Sequence, residues 1–167
     1  MNISKTIQQL APRPISADNF HPYGQVIFPS QDGKPYDALD AQLILDRGTP
    51  HFYVMQLHGR GMRFHEIERH LQSTQCLGSL EGKEWLIAVC PPNNELDLPN
   101  LADIVAFRVP GNCFIKLNLG TWHAGPYFES SIVNFYNLEL SDTNVVDRFT
   151  HNSLTSRNLE FEFVIKN

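Results

Sequence analysis

Period-two alternation of apolar residues is the feature that most constrains this chain. In 159–166, Leu159, Phe161, Phe163 and Ile165 fall on one face, with Glu160, Glu162 and Lys166 on the other. In 113–119, Cys113, Ile115, Leu117 and Leu119 oppose Phe114, Lys116 and Asn118. Segment 51–58 groups Tyr53, Met55 and Leu57, and 132–140 is rich in β formers. This is the strand signature. Segment 84–90 is apolar on both faces and predicts a central strand. Helix signals are few. Ser16 is a candidate N-cap for one short turn over 16–20, and 98–107 has room for one or two turns after Pro99. The 11 Pro and 10 Gly are spread along the chain as turn punctuation. The expectation is an all-β fold with closed or doubled sheets, built as one domain over 1–167.

Composition removes several function classes. The 18 acidic and 13 basic side chains leave a net charge of −5, which argues against nucleic acid or an anionic membrane as partner. No apolar run reaches the length of a membrane span. Cys76, Cys90 and Cys113 are odd in number, widely spaced and set in apolar stretches, so they read as buried free thiols. MNISKTIQQL has no apolar core of a secretory signal. Free thiols without a signal give a cytoplasmic expectation. Seven His are generous for this length.

The densest polar cluster is Arg63-Phe64-His65-Glu66-Ile67-Glu68-Arg69-His70. A zincin HExxH motif needs two His four apart on one helical face. His65 and His70 are five apart, about 140° out of alignment on a helix. On a strand, parity puts Glu66, Glu68 and His70 on one face, and His65, Ile67 and Arg69 on the other.

Glu68-x-His70 is followed by Gln75 and then Gly82, and downstream stands Asn118-x-Gly120-x-x-His123. These spacings resemble the two cupin motifs, with Glu68, Gln75 and Asn118 where His, Glu and Pro are usual. The resemblance implies a double-stranded β-helix (jelly-roll) barrel with short helical turns. It also implies Glu68, His70, Gln75 and His123 as ligands of one metal, three from a β-hairpin and His123 from across the barrel. Two imidazoles, a carboxylate and an amide oxygen suit a first-row divalent ion with open positions, here Ni, Mn or Zn.

Within the cupins the chain resembles the ureidoglycolate lyases. The carriers are His65-Glu66-Ile67-Glu68-Arg69-His70, Thr74-Gln75, Trp122-His123 and Phe20-x-x-Tyr23-Gly24. The resemblance implies cleavage of (S)-ureidoglycolate to glyoxylate and urea in purine (allantoin) breakdown, and a homodimer. The chain departs from the family pattern at Ser79-Leu80-Glu81, at Leu117 and at Gly125, all expected on pocket walls.

Elimination from ureidoglycolate needs its hydroxyl deprotonated and its urea nitrogen protonated. Glu66 shares the face of Glu68 and His70 and is the candidate acid/base, its alternative being a support for the ligands. Lys116 and Arg63 are the candidate cations for a small anionic substrate, the alternative being solvated side chains. Trp122 is a candidate pocket wall or a core residue. Two other readings stay open: a metallocupin for another hydroxy acid or sugar acid, and a non-catalytic small-molecule-binding cupin.

Overall fold

Strand Gly82–Cys90 shows why the fold has three layers. Its Trp85, Ile87 and Val89 enter one hydrophobic core, and Leu86, Ala88 and Cys90 enter a second. A strand apolar on both faces needs a cover on each. A computed structural model describes residues 5–93 and 96–165, so Lys166 and residues 1–4 of the N-terminal stretch lie outside the described residues.

The strands in chain order are β1 (Thr6–Leu10), β2 (Arg13–Pro14), β3 (Gly24–Ile27), β4 (Pro50–His58), β5 (Arg63–Phe64), β6 (Glu66–Arg69) and β7 (Gln75–Ser79). They continue with β8 (Gly82–Cys90), β9 (Val105–Gly111), β10 (Phe114–Leu117), β11 (Trp122–Tyr127), β12 (Ile132–Leu140), β13 (Phe149–Asn152) and β14 (Leu159–Phe163). The helices α1 (Ala17–Phe20), α2 (Thr143–Val146) and α3 (Ser153–Arg157) are short. Ser16 caps α1 by accepting from the Asn19 backbone N–H, as the sequence predicts. Segment 98–107 holds one 3-10 turn, Leu101–Asp103, before β9 takes over.

A five-stranded sheet runs β3-β10-β7-β12-β4 and a six-stranded sheet runs β13-β6-β11-β8-β9-β2. Their facing sides enclose the first core, which includes Phe20, Trp85, Phe107, Ile115 and Phe135. The small sheet β1-β14-β5 covers the outer face of the six-stranded sheet through Leu10, Phe64, Phe161 and Phe163. The chain is thus all-β, consistent with a cupin barrel. All three cysteines are free and buried. Among the described residues no helix is long and apolar enough to cross a membrane.

Candidate functional site

Register builds the site. His123 on β11 lies opposite Glu68 on β6, and the chain leaves β6 directly into His70. Ligand atoms of Glu68, His70 and His123 lie within 4.8 Å of one another. His123 Nε2 is 3.7 Å from Glu68 Oε1, and the imidazole centroids are 5.2 Å apart. Gln75 opens β7 in the facing sheet. This differs from the expected arrangement: β6 and β11 are neighbours in one sheet, so Gln75, not His123, reaches in from across the barrel.

Backbone carbonyls orient both imidazoles. His70 Nδ1 lies 2.7 Å from the Asp147 carbonyl, and His123 Nδ1 lies 3.2 Å from the Thr121 carbonyl. A carbonyl only accepts, so each Nδ1 carries a proton, and in the neutral imidazole Nε2 is then the ring's lone-pair atom. His70 Nε2 is buried without a partner among the described residues. Burial pushes the pKa of His123 down to about 4, with neighbouring His70 adding to the effect and Glu68 opposing it. At neutral pH that imidazole is uncharged, the form that ligates.

Gln75 is oriented the same way. Its Nε2 donates to Asn137 Oδ1 at 3.1 Å and Glu139 Oε2 at 3.0 Å, and its Oε1 is buried without a partner among the described residues. Buried polar atoms are rarely unpaired. Two orphaned acceptors beside a carboxylate and a neutral imidazole form a donor set that fits a divalent cation.

The supporting residues come mostly from segments the motifs do not include. Asp147, 1% exposed, accepts from the Leu71 and Gln72 backbone N–H groups at 2.8 Å each, fixing the bend after His70. Glu139, 2% exposed, also accepts from Asn144 at 2.9 Å and from the Tyr53 hydroxyl at 3.3 Å. One signal pointed there: on β12, Val133, Phe135, Asn137 and Glu139 share a face that turns polar at its end. The N-terminal Tyr23-Gly24 motif also acts on the site. The Tyr23 carbonyl accepts from the Thr121 hydroxyl at 2.8 Å and from the Asn118 backbone N–H at 3.0 Å, fixing the turn before His123. A Cβ on Gly24 would sit 1.9 Å from the Lys116 carbonyl, so only glycine allows β3 to approach β10.

A cavity of about 440 Å³ opens beside the cluster. Glu66 lines it and accepts from Asn152 at 3.3 Å. Arg148 lines it and donates to Glu68 Oε2 at 2.6 Å. Arg60 also lines it, its guanidinium 4.3 Å over the Tyr127 ring; among the described residues it forms no ion pair. Burial pushes the Tyr127 and Tyr53 hydroxyl pKa values up.

The other sequence candidates lie as follows. Arg63 is at the cavity wall but is engaged by Glu162 at 2.8 Å. Lys116 does not line this cavity; it points to the outer side of the five-stranded sheet and lines a separate one. Trp122 lies in the second core, 1% exposed, under the Arg69 guanidinium at 4.6 Å. Arg69, whose parity sets it on the face away from Glu68 and His70, is 4% exposed: its guanidinium packs over the Trp122 and Phe149 rings and donates to Asp97. Of the departures from the family pattern, Gly125 lines the cavity; Leu117 is core, Ser79 ends β7 and Leu80-Glu81 forms the turn into β8.

No curated protein matches the chain closely enough to count as a relative. The family model described as Ureidoglycolate lyase matches residues 39–156, a span that holds Glu68, His70, Gln75, His123, Glu139 and Arg148. The chain belongs to the ureidoglycolate lyase family, and is a lyase of that family on a cupin-like all-β scaffold.

Proposed function

We propose that this protein cleaves (S)-ureidoglycolate to glyoxylate and urea, with Glu68, His70, Gln75 and His123 holding a divalent ion, Ni, Mn or Zn. The observation that carries the reading is the family match together with the two orphaned buried acceptors, His70 Nε2 and Gln75 Oε1, in the family's motif positions. A divalent ion supplies Lewis acidity, which lowers the pKa of a nearby hydroxyl.

The chain's own groups supply the rest. Arg60 lies over the Tyr127 ring and has no ion-pair partner among the described residues, so it takes the substrate carboxylate as a bidentate partner. Glu66 accepts the hydroxyl proton and returns it to the urea nitrogen as the C–N bond breaks. Glu139 and Asn137 keep the Gln75 amide from rotating. Arg148 holds Glu68 in place and balances its charge.

The purified protein, loaded in turn with Mn, Ni or Zn, is expected to release glyoxylate from ureidoglycolate above the spontaneous rate. No excess with any of the three sinks the reading. The departure at Gly125 lies on the cavity wall and favours one alternative, a different small hydroxy acid as substrate. Metal-loaded protein inactive on ureidoglycolate but active on another hydroxy acid would establish that alternative.

A further inference from the structure

Lys116 stands in an unusual position for a lysine. It lies between Ile115 and Leu117, both in the core, so its side chain leaves the opposite face of β10. It is nonetheless 5% exposed. Its Nζ donates to Asn118 Oδ1 at 2.6 Å, and among the described residues no carboxylate comes within ion-pair distance. Two of its three N–H donors are therefore unspent. A buried ammonium without a counter-charge is costly, and burial pushes its pKa down. The Asn118 amide N–H₂ likewise donates to nothing among the described residues.

The cover over Lys116 is built rather than incidental. Residues 28–49 contain no helix or strand, and connections longer than about 12–15 residues are usually either functional or unstructured linkers. Gln25, beside Lys116 in register, ties this strap down: Nε2 donates to the Ala38 and Asp40 carbonyls and Oε1 accepts from the Gln42 N–H. Thr74 ties its far end, its hydroxyl accepting from the Ile44 N–H at 2.9 Å. Between the two ties lies a cavity of about 700 Å³, walled by Lys116, Asn118, Gln42, Ile44, Pro92 and Leu119.

We propose that this strap-covered cavity is a second binding site, for a small organic monocarboxylate, separate from the metal pocket. One ammonium balances one negative charge. The two free Lys116 N–H groups and the Asn118 amide match the acceptors of two carboxylate oxygens. Pro92, Ile44 and Leu119 suit a short carbon chain. The site does not depend on the lyase reading, because it faces the other side of the sheet.

The test is a titration of the metal-loaded full chain with glycolate, followed by backbone amide NMR. Saturable shifts are expected at Gln42, Ile44, Thr74 and Leu119. Lys116→Met, which keeps the stem and removes the charge, should weaken them about tenfold or more, while Arg60→Gln should leave them unchanged. Inorganic phosphate in place of glycolate should compete poorly, and tighter phosphate binding would overturn the carboxylate assignment. Shifts confined to the metal pocket, or unaltered by Lys116→Met, would overturn the site itself. If Lys116→Met does not fold, acetylation of the wild-type chain gives the same decision. Glycolate should protect Lys116 and not Lys5, Lys34 or Lys83, and equal protection or none would refute the proposal.

Discussion

The two ends of the barrel interior are lined by the same strands with opposite chemistry. On β12, Val133 and Phe135 enter the core, while Asn137 and Glu139 on the same face turn to the cavity beside Glu68, His70 and His123. On β7, Leu77 packs in the core and Gln75 holds the polar end. The apolar end needs nothing but packing: Phe20, Tyr23 and Phe107 meet at ring centroid distances of 5.3–5.8 Å. The polar end buries His70, Gln75, His123 and Glu139, with two acceptors left over. Desolvating such groups costs free energy that packing does not return. The apolar end therefore carries stability, and the polar end is retained for chemistry, with stability as its cost.

That division can be broken by mutation. His123→Ala should return glyoxylate release to the spontaneous rate and remove bound metal, with the melting temperature of the metal-free protein little changed. A large loss of metal-free stability would place His123 in the scaffold instead. Phe135→Ala, two turns of the pleat from Glu139, should cost about 3–5 kcal/mol in chemical denaturation. Metal bound per folded chain should stay the same.

The metal-free protein should also show the split in its pH dependence. The folded-state pKa of His123 is about 4, below its ordinary value of 6.5. Between those values the unfolded chain binds the extra proton, so stability is full above about pH 6.5 and is lost as pH falls toward 4. The loss from this group is about 3 kcal/mol. Denaturation midpoints measured from pH 7.5 to 4 check it, and bound metal should delay the loss to lower pH. A His123→Gln variant should flatten that slope.

Glu139→Gln tests the support for Gln75. It keeps the shape but exchanges an acceptor oxygen for a donor within the Tyr53, Asn144 and Gln75 contacts. Metal affinity should fall about 10- to 100-fold by isothermal titration, with the fold intact. The smallest effect belongs to the scaffold: Ser16→Ala removes the α1 cap and should cost about 1 kcal/mol.

Much of the scaffold was legible because alternation is local. The apolar-both-faces run at 84–90, the 132–140 strand and the Ser16 cap each follow from neighbours in sequence. The motif spacing likewise brought Glu68, His70 and His123 together. Parity alone does not say which layer lies beyond a strand. Arg69 and Lys116 have the expected parity, yet both are buried, Arg69 over the Trp122 and Phe149 rings and Lys116 beside the 28–49 strap. The supports were hidden for a different reason. Asp147 and Tyr53 reach the site through tertiary contacts from segments 75 or more residues from their partners. Only Glu139 left a local trace, as a charge closing an apolar strand face.

The most direct test of the account is the metal content of the purified chain after loading with Ni, Mn or Zn and exhaustive dialysis. One tightly held divalent ion per chain is expected, lost in His70→Ala and retained in Phe135→Ala. Wild-type protein that retains none of the three ions, or His70→Ala protein that retains one as tightly, would contradict it.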